Sequence, residues 1–160
     1  MLSRRPALKP LAAASTFGLS AHAAERAVKN GRIKQSVVPW CFNPMPVPEL
    51  AQHAAALGLA SVELCDPKFW PQLKELGLTC AIAGSHGFAK GFAQREQWAE
   101  CHGVLRERLK QAAAFGTSRV LTFSGFRKVR SDEEGIQNMV AGTKEIVGFA
   151  GEPTGTLFID

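Results

Sequence analysis

The chain lacks tyrosine, has no C-x-x-C pair, and carries only four histidines in 160 residues. Without paired cysteines, a zinc knuckle or a thioredoxin-type redox motif is unsupported. The four cysteines, Cys41, Cys65, Cys80 and Cys101, stand 24, 15 and 21 residues apart. A disulfide framework is not expected in a chain long enough to bury its own core. Cys41, Cys65 and Cys80 fall in or beside predicted strands, where a thiol serves as a small apolar side chain. Acids are scarce at the front, where Glu25 alone faces Arg4, Arg5, Lys9, Arg26, Lys29, Arg32 and Lys34. Part of the net charge of +5 therefore sits in that leader. The folded part shows no basic stripe with interleaved aromatics, so no nucleic-acid partner is expected. The short run Arg127, Lys128 and Arg130 reads as a solvated loop, with phosphate contact as the alternative.

The leader has the order of a targeting segment. Basic residues 4–9 precede a mildly apolar stretch, 11–19, and Ala21-His22-Ala23 supplies a small-x-small cleavage site. Nine apolar residues are too few to span a bilayer, which needs about 20, so no membrane span is expected. Arg4-Arg5 with Leu8 and Lys9 behind them resembles a twin-arginine export signal, although Ala7 stands where a bulky apolar residue is usual. The expectation is a signal peptide and linker over residues 1–30, a folded domain over 31–160, and a periplasmic address. The alternative is a cytoplasmic protein with a basic leader.

What the chain does have is rhythm. Gly58, Gly77, Gly116 and Gly155 each precede a short β-prone run. The predicted strands cover residues 32–38, 61–64, 78–82, 119–123 and 156–159. Between them lie helical patterns: Leu50, Ala54 and Leu57; Phe69, Leu73 and Leu76; Trp98, Cys101, Leu105, Leu109 and Ala112; Ile136, Met139, Val140, Ile146 and Val147. Pro46 and Pro48 suit a first helical turn, Asp66-Pro67 a capped start, and Ser131 with Glu134 a capping box. Passing through a helix between strands makes neighbouring strands parallel. The fold class is thus α/β: a partial (β/α)8 TIM barrel of about four to five parallel strands, with a doubly wound sheet as the runner-up. After the first strand comes Pro39-Trp40-Cys41-Phe42-Asn43-Pro44, which cannot cradle a pyrophosphate, and no phosphate-binding P-loop occurs.

Three stretches carry a resemblance: residues 50–64, a helix, a glycine and a strand ending Val62-Glu63-Leu64; Leu76-Gly77-Leu78 into a strand ending Gly84-Ser85-His86-Gly87; and residues 113–120, Ala-Ala-Phe-Gly-Thr-Ser-Arg-Val. In this order they resemble the sugar isomerase/epimerase superfamily with its xylose isomerase-like barrel, nearest to hydroxypyruvate isomerase and its relatives, over about residues 32–150. The resemblance implies an aldose–ketose type isomerisation of a small sugar or hydroxy-keto acid through an enediol. A divalent metal, Mg²⁺ or Mn²⁺, would polarise the oxygens as a Lewis acid. It also implies that bases and metal ligands lie at the C-terminal ends of the later strands.

The candidate residues follow from that frame. His86 ends the third strand on the face where substrates bind, and its alternative is a surface histidine between glycines. Glu63, near the C-terminal end of the second strand, is a substrate-binding or structural acid. Trp40, with Phe42, could wall the pocket or simply pack. Asp160 is a metal-ligand candidate by position, at the end of the fifth strand. His53 and His102 fall in helices and are expected to be exposed or satisfied by packing. One ligand cannot hold a catalytic ion, so the polypeptide alone is expected to be inactive. The alternative function is a non-catalytic half-barrel whose open sheet edges pair with a second copy. A barrel nuclease with a zinc cluster would need more histidines.

Overall fold

The computed structural model describes residues 26–151 and 156–159. The leader before residue 26 and Asp160 lie outside them. The elements in chain order are β1 (Ser36–Val37), α1 (Val47–Leu57), β2 (Ser61–Val62), α2 (Trp70–Glu75), α3 (Trp98–Phe115), β3 (Arg119–Thr122), α4 (Asp132–Gly151) and β4 (Thr156–Ile159). Short 3₁₀ turns at Pro39–Phe42, Pro67–Phe69 and Arg95–Gln97 lead into the loop after β1 and the starts of α2 and α3.

Local sequence explains the helix ends. Pro46 precedes α1 and Pro48 stands in its first turn, where a missing N–H costs no intrahelical bond. Gly58 ends α1 at φ 83°, its N–H reaching the Ala54 and Ala55 carbonyls. Gly116 ends α3 in the same left-handed conformation, which only glycine adopts without strain. The Ser131 hydroxyl accepts from the Glu134 N–H at the start of α4.

Space follows sequence across the sheet. β1 pairs parallel with β2, β2 is bridged at Ser61 to Thr79, Ala83 is bridged to Val120 of β3, and β3 pairs parallel with β4. A doubly wound sheet reverses its order at a switch point; the described strands never do, so the arc is that of a barrel wall. The predicted third strand, 78–82, is the main departure. It occupies the right place but makes only isolated bridges. The Ile82 carbonyl there accepts from the Leu64 N–H at 3.0 Å and from the Cys80 thiol at 3.2 Å, so a side chain intrudes on the ladder.

The core lies between this sheet and the helices. Val62, Leu73, Leu105, Leu109, Val120 and Ile146 are fully buried there. Because side chains alternate along a strand, Val62 and Val120 face the helices while Ser36, Glu63 and Leu121 take the opposite, inner face. No helix among the described residues is long and apolar enough to cross a membrane.

Candidate functional site at the strand ends

The C-terminal ends of four successive strand positions converge on a cleft of about 560 Å³. Trp40 follows β1 and Leu64 follows β2. Gly84, Ser85, His86, Gly87 and Phe88 follow the third-strand segment, and Leu121 and Phe123 belong to β3 and the loop after it. In a parallel α/β sheet this is the end at which loops gather and ligands bind.

His86 is buried, 6% exposed, rather than a surface residue between glycines. Its Nε2 lies 2.7 Å from the hydroxyl of Thr122, which is itself fully buried. Its ring meets Phe92 and Phe123 edge-on at 6.0 and 6.1 Å. Nδ1 has no hydrogen-bond partner and is one of two such buried side-chain atoms among the described residues. Burial pushes the His86 pKa below the ordinary histidine value, against backbone groups of Gly87 and Lys90 and the Glu100 carboxylate, which favour the cation. The neutral ring offers Nδ1 as an acceptor or donor, according to the tautomer.

Glu63 does not join His86. Its carboxylate accepts from the Ser36 hydroxyl across β1 and β2, which makes it a polar group of the inner wall. Trp40 is 57% exposed and forms one lip of the cleft. Phe42 lies instead along a separate apolar groove beside α1, with Met45, Leu50 and Leu57. Cys41 is exposed in the 3₁₀ turn, not a strand-associated apolar side chain as the sequence suggested. His53 is exposed on α1. His102 is buried on α3, with Nε2 2.7 Å from the Gly142 carbonyl and Nδ1 3.4 Å from Glu145.

The residues that hold the rim are ones the sequence reading passed over. Gly91 and Gly125 cross backbone to backbone: a Cβ on Gly91 would strike Phe123, Ser124 and Gly125 main-chain atoms. Gln94, 2% exposed, donates to the Phe126 and Arg127 carbonyls at 3.0 and 3.2 Å and accepts from Arg130 at 2.8 Å. Arg130 also pairs with Glu96 and Glu134, so the basic run is a clasp at that residue, not simply solvated. Phe88, Phe123 and Phe126 form an edge-to-face aromatic series beside the cleft. The recurring Gly-Phe pairs at 87–88, 91–92 and 125–126 were the signal for this rim. Glycine permits the close approach and phenylalanine fills what remains.

Solved structures share this arc of sheet and helices. A 3-keto-D-glucoside 4-epimerase from E. coli superposes with a TM-score of 0.65 over 80% of this chain and 56% of its own, at 13% identity. The fold is a partial TIM barrel. A D-tagatose 3-epimerase-like protein matches with a TM-score of 0.64, covering 79% of this chain and 52% of its own at 15% identity. An AP endonuclease of family 2 from Brucella melitensis matches at 0.62, with 79% and 55% coverage and 15% identity. The chain therefore spans about half the length of these barrels. Identities this low carry the fold and not the activity. No protein family profile and no curated protein matches the sequence.

A divalent metal is what the sequence resemblance implies, so the donors of the described residues can be tested against it. Glu63 is engaged by Ser36 and His86 by Thr122. No group of three or more His, Cys, Asp or Glu side chains stands together among the described residues. These residues do not fit a metal by themselves, and no chemical step is routed through one here.

Proposed function

We propose that this chain supplies the N-terminal half of a sugar isomerase/epimerase barrel and that its cleft binds a small sugar or hydroxy-keto acid without converting it. The observation that carries the reading is His86, a buried neutral imidazole with a free Nδ1, on the wall of a cleft at the strand C-termini. Nδ1 is closed off from solvent, so a hydroxyl or carbonyl oxygen of the ligand would supply the hydrogen bond it lacks once the His86 ring turns toward the cleft, a gain larger in a buried site than in water. The aromatic lip of Trp40, Phe88 and Phe123 would take the C–H face of the ligand. The base and metal ligands needed for enediol chemistry do not stand together among the described residues, so the part proposed for the chain is to bind and orient. The nearer relation to hydroxypyruvate isomerase belongs to the same proposal.

The test uses the full chain. Ketoses and hydroxypyruvate are titrated while Trp40 fluorescence is followed, with Trp40→Phe marking which signal is local. Saturable change that His86→Ala removes is the expected result, together with no turnover of hydroxypyruvate on adding Mn²⁺. Absence of saturation for every compound sinks the binding reading, and clear turnover sinks the division of labour. Export through the leader is the remaining part of the proposal. Arg4→Lys with Arg5→Lys is expected to leave the protein in the cytoplasmic fraction, and unchanged periplasmic recovery refutes it.

A second reading is favoured by the two flanks. The apolar groove beside α1 lies on one side. On α4, Ile136, Val140 and Val147 share one flank and are more than half exposed. A half-barrel that pairs with a second copy would cover such surfaces. A stable dimer by light scattering supports this assembly role, and a monomer at high concentration excludes it.

A further inference from the structure

Which ring nitrogen of His86 carries the proton follows from what surrounds Thr122. Three links in a row fasten the end of the third-strand segment to β3. The Leu121 N–H donates to the Ala83 carbonyl at 2.8 Å, and the Ser85 hydroxyl donates to the Leu121 carbonyl at 2.5 Å. His86 Nε2 then meets the Thr122 hydroxyl at 2.7 Å. The first two links have a fixed direction. The third does not, because a hydroxyl and a neutral imidazole can each donate.

The neutral pair has two possible arrangements. If Nε2 carries the hydrogen, the Thr122 oxygen accepts it and two groups are left over, the Thr122 hydroxyl hydrogen and the Nδ1 lone pair. If Nδ1 carries the hydrogen, the Thr122 hydroxyl donates to Nε2 and only the Nδ1–H is left over. Thr122 is fully buried, and its hydroxyl has no second partner among the described residues. Nδ1 is likewise closed off and unpartnered. Solvent reaches neither group, and a buried polar group without a partner costs more than an ordinary hydrogen bond contributes. One orphan is therefore favoured over two. The cation, which needs acceptors at both nitrogens, is disfavoured by the same burial.

We infer that Thr122 is a positioning residue that holds His86 in the Nδ1–H tautomer, so that the cleft offers a donor and selects an acceptor oxygen, a carboxylate or a carbonyl. The ligand half of this inference rests on the binding role proposed above. The χ2 angle of histidine is broad, and Nε2 lies nearer the Cβ–Cγ axis than Nδ1 does. A turn of the ring toward the cleft therefore sweeps Nδ1 further and leaves Nε2 near Thr122. The orphaned N–H then meets an oxygen. A carboxylate makes the stronger, charge-assisted bond, which ranks a hydroxy-keto acid above a ketose. An ammonium group only donates, so it sets N–H against N–H and is rejected.

The test is a long-range proton–nitrogen NMR correlation on the full chain with nitrogen-labelled histidine, at about pH 8, above the ordinary histidine value. His86→Gln shows which of the four histidine patterns belongs to His86. The expected spectrum has Nε2 at the shift of a bare ring nitrogen and Nδ1 at that of a protonated one. Thr122→Ser keeps this pattern, and Thr122→Val, which has the shape of threonine without the hydroxyl, loses it. A protonated Nε2 in the parent overturns the inference, as does an unchanged pattern in Thr122→Val. The parent spectrum decides the tautomer even if the valine variant fails to fold. Hydroxypyruvate and ethanolamine are then titrated into the parent. Hydroxypyruvate is expected to shift the His86 nitrogens saturably, at a concentration roughly tenfold or more below that of ethanolamine. Equal or tighter ethanolamine binding overturns the choice of ligand. An Nδ1–H tautomer with no saturation by either compound refutes the binding role, and the ligand class with it, while the tautomer stands.

Discussion

Replacing His86 with glutamine separates a buried neutral imidazole from a solvated one. Glutamine keeps a neutral hydrogen-bonding group beside Thr122 and cannot titrate. In the unfolded chain His86 takes up its proton near the ordinary value of about 6.5. In the folded chain burial defers that uptake to lower pH. Between the two values the unfolded state binds more protons than the native state, so stability falls as pH falls. The full contribution is present above the unfolded value, and the loss ends below the folded one. One proton limits the slope to about 1.4 kcal/mol per pH unit. Urea unfolding followed by far-UV circular dichroism between about pH 5 and 7.5 measures it. The His86→Gln profile is expected to be flatter than the parent's by up to that slope, since His53 and His102 are common to both proteins. Parallel profiles would show that the native chain protonates His86 as freely as the unfolded one, and the buried-imidazole reading would fail.

Three further outcomes follow from packing. Gly142→Ala gains about 1 kcal/mol of helix propensity, but its Cβ would stand 2.7 Å from Phe92 Cδ1 and 3.0 Å from Trp98 Cε2. Phe92 is fully buried and Trp98 is tied to its carbonyl at 2.7 Å, so neither side chain yields easily. Overpacking of about 1–3 kcal/mol should win, and a midpoint at or above the parent's in urea contradicts this. Gly91→Ala meets main-chain atoms instead of side chains, so a loss of about 3 kcal/mol and a collapse of ligand-dependent Trp40 fluorescence are expected. A near-neutral effect would mean the two loops do not cross as described. Gln94→Leu strips the Phe126 and Arg127 carbonyls of their donor. A cost of about 2–3 kcal/mol is expected in the same unfolding assay, and less than 0.5 kcal/mol, roughly the scale of an ordinary surface change, would contradict the clasp.

The helix-glycine-strand cadence was legible because its causes are local. Gly58, Gly77 and Gly116 take positive φ where helices end, and the apolar spacing of α1 and α3 follows a single helical face. The short β-prone runs at 119–123 and 156–159 became β3, which stops at Thr122, and β4. The run at 78–82 shows the limit. Its residues favour a strand, yet the Cys80 thiol competes for the Ile82 carbonyl. That competition depends on a neighbouring strand the local sequence does not contain.

The candidate site divides in the same way. That His86 and Trp40 stand at strand ends could be read from spacing, and both reached the cleft. Whether His86 was buried could not, because Thr122 and Phe92, which enclose it, lie on other elements. The Gly91–Gly125 crossing and the Gln94 clasp likewise join residues 32 to 36 positions apart. The sequence by itself determined where helices start and stop, that the strands run parallel, and which strand ends carry polar and aromatic groups, since each of these is a property of a few consecutive residues. Tertiary structure alone decided that the strands follow one another in space as a barrel wall, and which side chains lose their water. Those depend on the three-dimensional packing of one βα unit against the next.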